Sequence, residues 1–158
     1  GGAYLKDAFA LLKHRSANPL EDQLKLWDLT VFNFLIGNTD NHLKNLSLLY
    51  DASLVSVRLA PAYDVISTTI YSGSTRDLSM RIGDAVTVDD VSESSFRMAA
   101  RAVGIGEKLA IKRFSSMAQQ FEAALTSTAE ELAGKGFTNA AQLREQILLT
   151  GGYRHIDK

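Results

Sequence analysis

Residues 34–45 read Phe34-Leu35-Ile36-Gly37-Asn38-Thr39-Asp40-Asn41-His42-Leu43-Lys44-Asn45, an apolar run that stops at a glycine and turns almost wholly polar. Upstream, Leu20, Leu24, Trp27, Val31, Phe34 and Leu35 recur at the three-to-four spacing of one helical face. That helix has a start signal: Asn18 suits the cap, Pro19 the first turn, and Glu21 the carboxylate position of a capping box. Gly37 supplies its stop. The polar stretch is therefore a loop between a capped helix and the apolar segment that begins at Leu46. Loops held by rigid elements are where function concentrates.

Downstream of the loop, Leu46–Tyr50 and Leu54–Leu59 predict two strands with Asp51-Ala52-Ser53 as the turn. Pro61 interrupts, and Tyr63-Asp64 follows. Val65–Tyr71 is β-branched and fits a strand or a short helix equally. Leu78–Ile82 predicts a further strand, closing at Gly83-Asp84. Before the loop-bearing helix, Tyr4, Leu5, Ala8, Phe9, Leu11 and Leu12 mark another amphipathic helix. From about residue 92 the chain reads as helical to its end. Phe96, Ala99, Ala100 and Val103 form one stripe, stopped by Gly104. A longer stripe runs through Ala110, Phe114, Met117, Phe121, Leu125, Thr128 and Leu132 to Gly134, and Leu143, Ile147 and Leu148 mark the last helix before Gly151-Gly152. The expected fold is α+β, mostly α, with a small antiparallel β element near the polar loop.

The 158 residues suit one domain spanning 1–158, and 46% hydrophobic residues give it a core without staples. No cysteine is present, which excludes a disulfide framework, a thiolate metal site and a cysteine nucleophile. No apolar run is long enough for a membrane span and no signal-peptide pattern opens the chain, so a soluble, cytoplasmic protein is expected. Lys and Arg number 17 against 18 Asp and Glu, which argues against a chain-wide nucleic-acid footprint. Arg97, Arg101, Lys108, Lys112 and Arg113 cluster, a pattern that usually means a solvated helix face. The acidic middle of the chain holds the candidate chemistry.

Three residues stand out there: Asp40, Asn45 and Asp64. Asp40 and Asn45 are separated as the Asp and Asn of a kinase catalytic loop are. Phosphoryl transfer needs a carboxylate to orient the attacking hydroxyl and accept its proton, and oxygen ligands on Mg²⁺ beside the transferred phosphate. Mg²⁺ takes few protein oxygens, so one amide and one carboxylate are typical equipment. Asp64, just beyond the hairpin, stands where the second metal ligand of a kinase fold sits.

The N-x-D-x-H-x-K-N core from Asn38 to Asn45, followed by Leu59-Ala60-Pro61-Ala62-Tyr63-Asp64, resembles the HipA toxin kinases, serine/threonine kinases of bacterial toxin–antitoxin modules. The resemblance extends over the chain as that family's C-terminal, mostly helical, protein-kinase-like lobe. It implies Asp40 as the catalytic residue, Asn45 and Asp64 as Mg²⁺ ligands, His42 and Lys44 in the nucleotide-contacting loop, and Tyr63 beside Asp64. It also implies ATP as phosphoryl donor, a protein substrate, and a DNA-binding antitoxin partner through which any nucleic-acid contact is indirect. One departure is large. The sequence contains no Gly-rich phosphate loop and no earlier lobe with a nucleotide-binding lysine; Gly104 and Gly106 fit helix caps instead. The expectation is a C-terminal lobe that is inactive by itself.

Other readings compete. Asp40 also fits a plain turn residue, and His42 a metal ligand beside it in a hydrolase, although His14 and His155 lie far off in sequence. Residues 92–150 also suit a non-catalytic helical module that binds a partner protein, and the acidic loop suits a metal-dependent phosphoesterase. A hydrogen-bonding role that holds the loop in shape is expected of His42, and Lys44 fits either a phosphate contact or a carboxylate pair.

Overall fold

The computed structural model describes residues 2–156. Helices α1 (Gly2–Arg15) and α2 (Pro19–Ile36) come first, then hairpin strands β1 (Leu48–Tyr50) and β2 (Val57–Leu59) and a second hairpin, β3 (Asp77–Ile82) with β4 (Ala85–Thr87). Helices α3 (Glu93–Val103), α4 (Glu107–Gly134) and α5 (Ala140–Thr150) complete the chain, ahead of a 3₁₀ turn at Gly152–His155. The fold is mostly α with two small antiparallel sheets, as the apolar periodicities predict.

Both ends of α2 form where the sequence signals them. The Asn18 side chain accepts from the Glu21 N–H, and its Nδ2 donates to Glu21 Oε2 at 2.6 Å, so the box closes between side chains. At the other end Gly37 is left-handed (φ 74°), with its N–H on Phe34 O and the Asn38 N–H on Asn33 O. This paired closure caps the orphan carbonyls. A Cβ on Gly37 would strike the Thr69 hydroxyl, so close approach as well as backbone geometry demands glycine here.

The buried face of α2 differs from the expected stripe at its start. Leu20 is 65% exposed, whereas Asp22 is fully buried. Helix entry turns Leu20 outward because Asp22 is needed inward: its carboxylate accepts from Ser16 Oγ (2.6 Å), the Leu59 N–H (2.8 Å) and the Arg58 guanidinium (2.9 Å). With Ala17 N–H on Val57 O, this clamps β2 onto the start of α2. Beyond Asp22 the stripe enters an aromatic core. Trp27 is fully buried with Nε1 on Ala110 O, and Phe96 packs against Trp27, Phe34 and Phe114 at ring separations of 5.8, 5.4 and 4.4 Å.

Two local expectations need correction, and one expected strand has a partner not expected from the sequence. The second strand of the first hairpin begins at Val57, not Leu54; residues 51–56 form a wider loop in which Asp51 Oδ1 accepts from Ser53 Oγ and the Val55 and Ser56 N–H groups. Leu54 and Val55 are 74% and 83% exposed. Val65–Tyr71 is neither strand nor helix, because the Thr68 and Thr69 N–H groups are both taken by Gly37 O. The strand at 77–82 pairs with β4, a partner too short to announce itself in the sequence.

Candidate active site

The loop after α2 is held from both sides. Thr39 N–H donates to Thr68 Oγ1 (2.9 Å), Thr39 Oγ1 to Thr75 O (3.0 Å), and Ser79 N–H of β3 to Thr39 O (2.9 Å). Thr39 is buried while Asp40, the next residue, points out with its side chain 66% exposed. The loop is thus anchored at one residue and presents a carboxylate at the next. A 3₁₀ turn at Leu43–Asn45 then returns the chain inward.

Asn45 is buried and donates Nδ2 to the Asp40 carbonyl at 3.2 Å. No hydrogen bond among the described residues uses its Oδ1, which is the oxygen left for a ligand. Tyr63 OH donates to Lys44 O (2.7 Å) and lies 3.0 Å from Ser47 Oγ, fastening the segment after β2 to the loop. Asn38 Nδ2 reaches the Asp64 carbonyl at 3.5 Å. Asp64 is exposed, with left-handed backbone (φ 55°) and a carboxylate in no ion pair or hydrogen bond among the described residues.

The fold therefore brings together the loop of Asp40 and Asn45 and the Asp64 segment, although β1 and β2 separate them in sequence. His42 lies beside Asp40, Nε2 to Oδ1 3.9 Å, but its buried Nδ1 has no partner among the described residues, and the ring makes no loop-shaping hydrogen bond with them. This corrects the expectation for that ring. Lys44 is exposed, and its ammonium pairs with no carboxylate among the described residues. An uncommitted amide oxygen and an uncommitted carboxylate are hard donors of the kind Mg²⁺ takes, so the donor set fits that ion. Among the described residues, no three His, Cys, Asp or Glu side chains form a metal-holding group.

Residues 2–125 match the family of HipA-like C-terminal domains. The chain belongs to that family. A 105-residue stretch is 40% identical to a Sinorhizobium fredii (strain NBRC 101917 / NGR234) protein named "Putative kinase Y4mE", covering 66% of this chain and 24% of that protein. The solved HipA of Shewanella oneidensis MR-1, in a toxin–antitoxin complex with HipB and operator DNA, superposes with a TM-score of 0.75 over 98% of this chain at 21% identity. The match covers 38% of that structure's chain, so the domain spans about a quarter to two-fifths of the relatives it matches.

Within this HipA-like domain, the residues that hold the site were less legible than those that face outward. Asn38, Thr39, Thr68 and Asp22 carry the supporting hydrogen bonds, yet short polar residues in loops are too common to single them out. The spacing signal for Asp22 was present: it falls on the same face as Leu26, but a carboxylate on a buried face reads as an interruption. The basic cluster is mostly neutralised. Arg97 pairs with Glu93 and Glu107, Arg101 with Glu107, and Arg113 with Asp28. No helix of the described residues is long and apolar enough to cross a membrane.

Proposed function

We propose that this HipA-like domain is the C-terminal lobe of a serine/threonine protein kinase of a toxin–antitoxin module. In the proposed reaction, Asp40 accepts the proton of a protein hydroxyl while that oxygen attacks the γ-phosphorus of ATP. The bond to the bridging oxygen breaks, and ADP leaves. Asn45 Oδ1 and Asp64 would hold Mg²⁺, which supplies charge neutralisation at the phosphates. His42 and Lys44 would contact the nucleotide, and Tyr63 would keep the Asp64 segment against the loop.

The observation that carries this reading is one arrangement: two exposed carboxylates on separate segments, Asp40 beside His42 and Asp64 without a partner among the described residues, each with its own backbone carbonyl held by a buried amide, Asn45 and Asn38. A plain structural loop gives no reason for that economy of partners. The Shewanella relative supports a DNA-binding antitoxin as partner. In the full-length natural protein, Asp40→Asn should lower phosphotransfer to a protein acceptor by about 10²–10⁴-fold with the melting temperature unchanged. Turnover near that of the parent would remove Asp40 from this role.

A further inference from the structure

Between Ala60 and Thr68 the backbone crosses the site with few hydrogen bonds to the main chain itself. Ala60 N–H is on Ser47 O and Thr68 N–H on Gly37 O, and between them one hydrogen bond among the described residues fixes the main chain: Asn38 Nδ2 to Asp64 O. Its anchor is firm. Asn38 is 4% exposed, and both its backbone N–H and its Nδ2 return to Asn33, to O at 2.8 Å and to Oδ1 at 2.9 Å. Asn33 is itself buried on α2. The residue so held, Asp64, adopts φ 55°, a region that an L-residue enters at a cost and keeps only when its surroundings require it.

From these contacts we infer that Asn38 is the positioning residue for Asp64: the carboxamide, braced on Asn33, grips the Asp64 carbonyl and sustains the left-handed turn that aims its carboxylate at the ligand side. The contact is long at 3.5 Å and weak singly. Among the described residues it is the one hydrogen bond to the main chain between Ala60 and Thr68; the other holds on this crossing are side-chain ones, Tyr63 OH on Lys44 O and Val65 against the core. Released, Asp64 would relax to negative φ and its carboxylate would swing away. In this role Asn38 acts through Asp64. The inference rests on the reading of Asp64 as a Mg²⁺ ligand.

The test uses the full-length natural protein with Asn38→Ala, and Asn38→Ser as a second variant should the alanine not fold. Two readouts separate the inference from the reading beneath it. A crystal structure of either variant should show φ at residue 64 outside the left-handed region; an unmoved Asp64 overturns the inference and leaves the kinase reading intact. Mn²⁺ binding in the presence of ATP, followed by electron paramagnetic resonance, should weaken by about tenfold, the scale typical of residues that orient a metal ligand. In an Asp64→Ala background the same Asn38 substitution should cause no further loss, as expected of two residues acting as one unit. An equal loss in both backgrounds points to general loosening and overturns the inference. No effect of Asp64→Ala alone overturns the metal reading, and this inference with it.

Discussion

Asp40 and Asp64 face solvent while the side chains that support them face inward, and this division sets what each substitution should do. Asn45 bonds inward through Nδ2 and offers only a neutral oxygen outward, whereas Asp64 offers a full charge. Asn45→Ala and Asp64→Ala should therefore each weaken Mg²⁺-dependent ATP binding in the full-length natural protein, Asp64→Ala more. Calorimetric titration with and without Mg²⁺ checks this, and equal ATP affinity in all three proteins with the same Mg²⁺ dependence would dismiss both ligands. Asn45→Ala should also lower stability by about 1 kcal/mol, because the Asp40 carbonyl loses its partner.

Elements are joined at this site by polar clamps rather than by large apolar faces. β1 and β2 are three residues each, too short to stand alone, and the hairpin is held through Asp22. Burial raises the Asp22 carboxyl, but the hydrogen bonds from Arg58, Ser16 and the Leu59 N–H outweigh it and leave the pKa at about 2. In the unfolded chain the group titrates near the ordinary value of about 3.9. Its stabilisation is therefore fully present above pH 4 and is lost as pH falls from about 4 through 2. The loss should amount to about 1–2 kcal/mol, discounted because Arg58 is partly open to solvent. Urea denaturation at pH 7 and pH 3 reads it out: the parent should lose this increment and Asp22→Asn should not. An identical pH response in both proteins would contradict the clamp.

At the scale of the molecule, one aromatic cluster ties α1, α2, α3 and α4 together, and the C-terminal segment locks onto it. Gly152 lies so near the Phe34 ring that a Cβ would strike it. Asp89 gathers Arg76, Arg154 and His155, and Arg76 also donates to Thr150 O, so the residue ahead of β3, the turn after β4 and residues 150–155 share one ionic knot. The guanidinium of Arg76 holds the Asp89 carboxyl well below the usual carboxylate range. With core and caps supplied internally, the 158-residue chain should unfold in a single cooperative transition by calorimetry. It should not phosphorylate a protein acceptor alone, since phosphates in a kinase are gripped from a second lobe by a Gly-rich loop and a lysine. Adding the remainder of the natural protein should restore transfer; robust activity from these residues alone would contradict the proposed division of labour.

The sequence by itself determined the helices, their ends and which loop residues are candidates for a ligand. Those features are local: Asn18, Pro19, Gly37 and Gly104 act within one turn, apolar spacing repeats every three to four residues, and Asp40 to Asn45 is a short loop. Only the tertiary structure decided which polar residues are buried and what they hold. Asp22 is inside because Leu59 and Arg58, thirty-six and thirty-seven residues away in reverse order, need an acceptor there. Residues 65–71 form neither the strand nor the short helix that the sequence leaves open, because Gly37 O claims the backbone at Thr68 and Thr69. Asn38 reaches Asp64 across twenty-six residues. A propensity sums over neighbours in the chain, whereas a buried hydrogen bond depends on which groups meet once the chain has packed, and in this molecule those meetings hold the site.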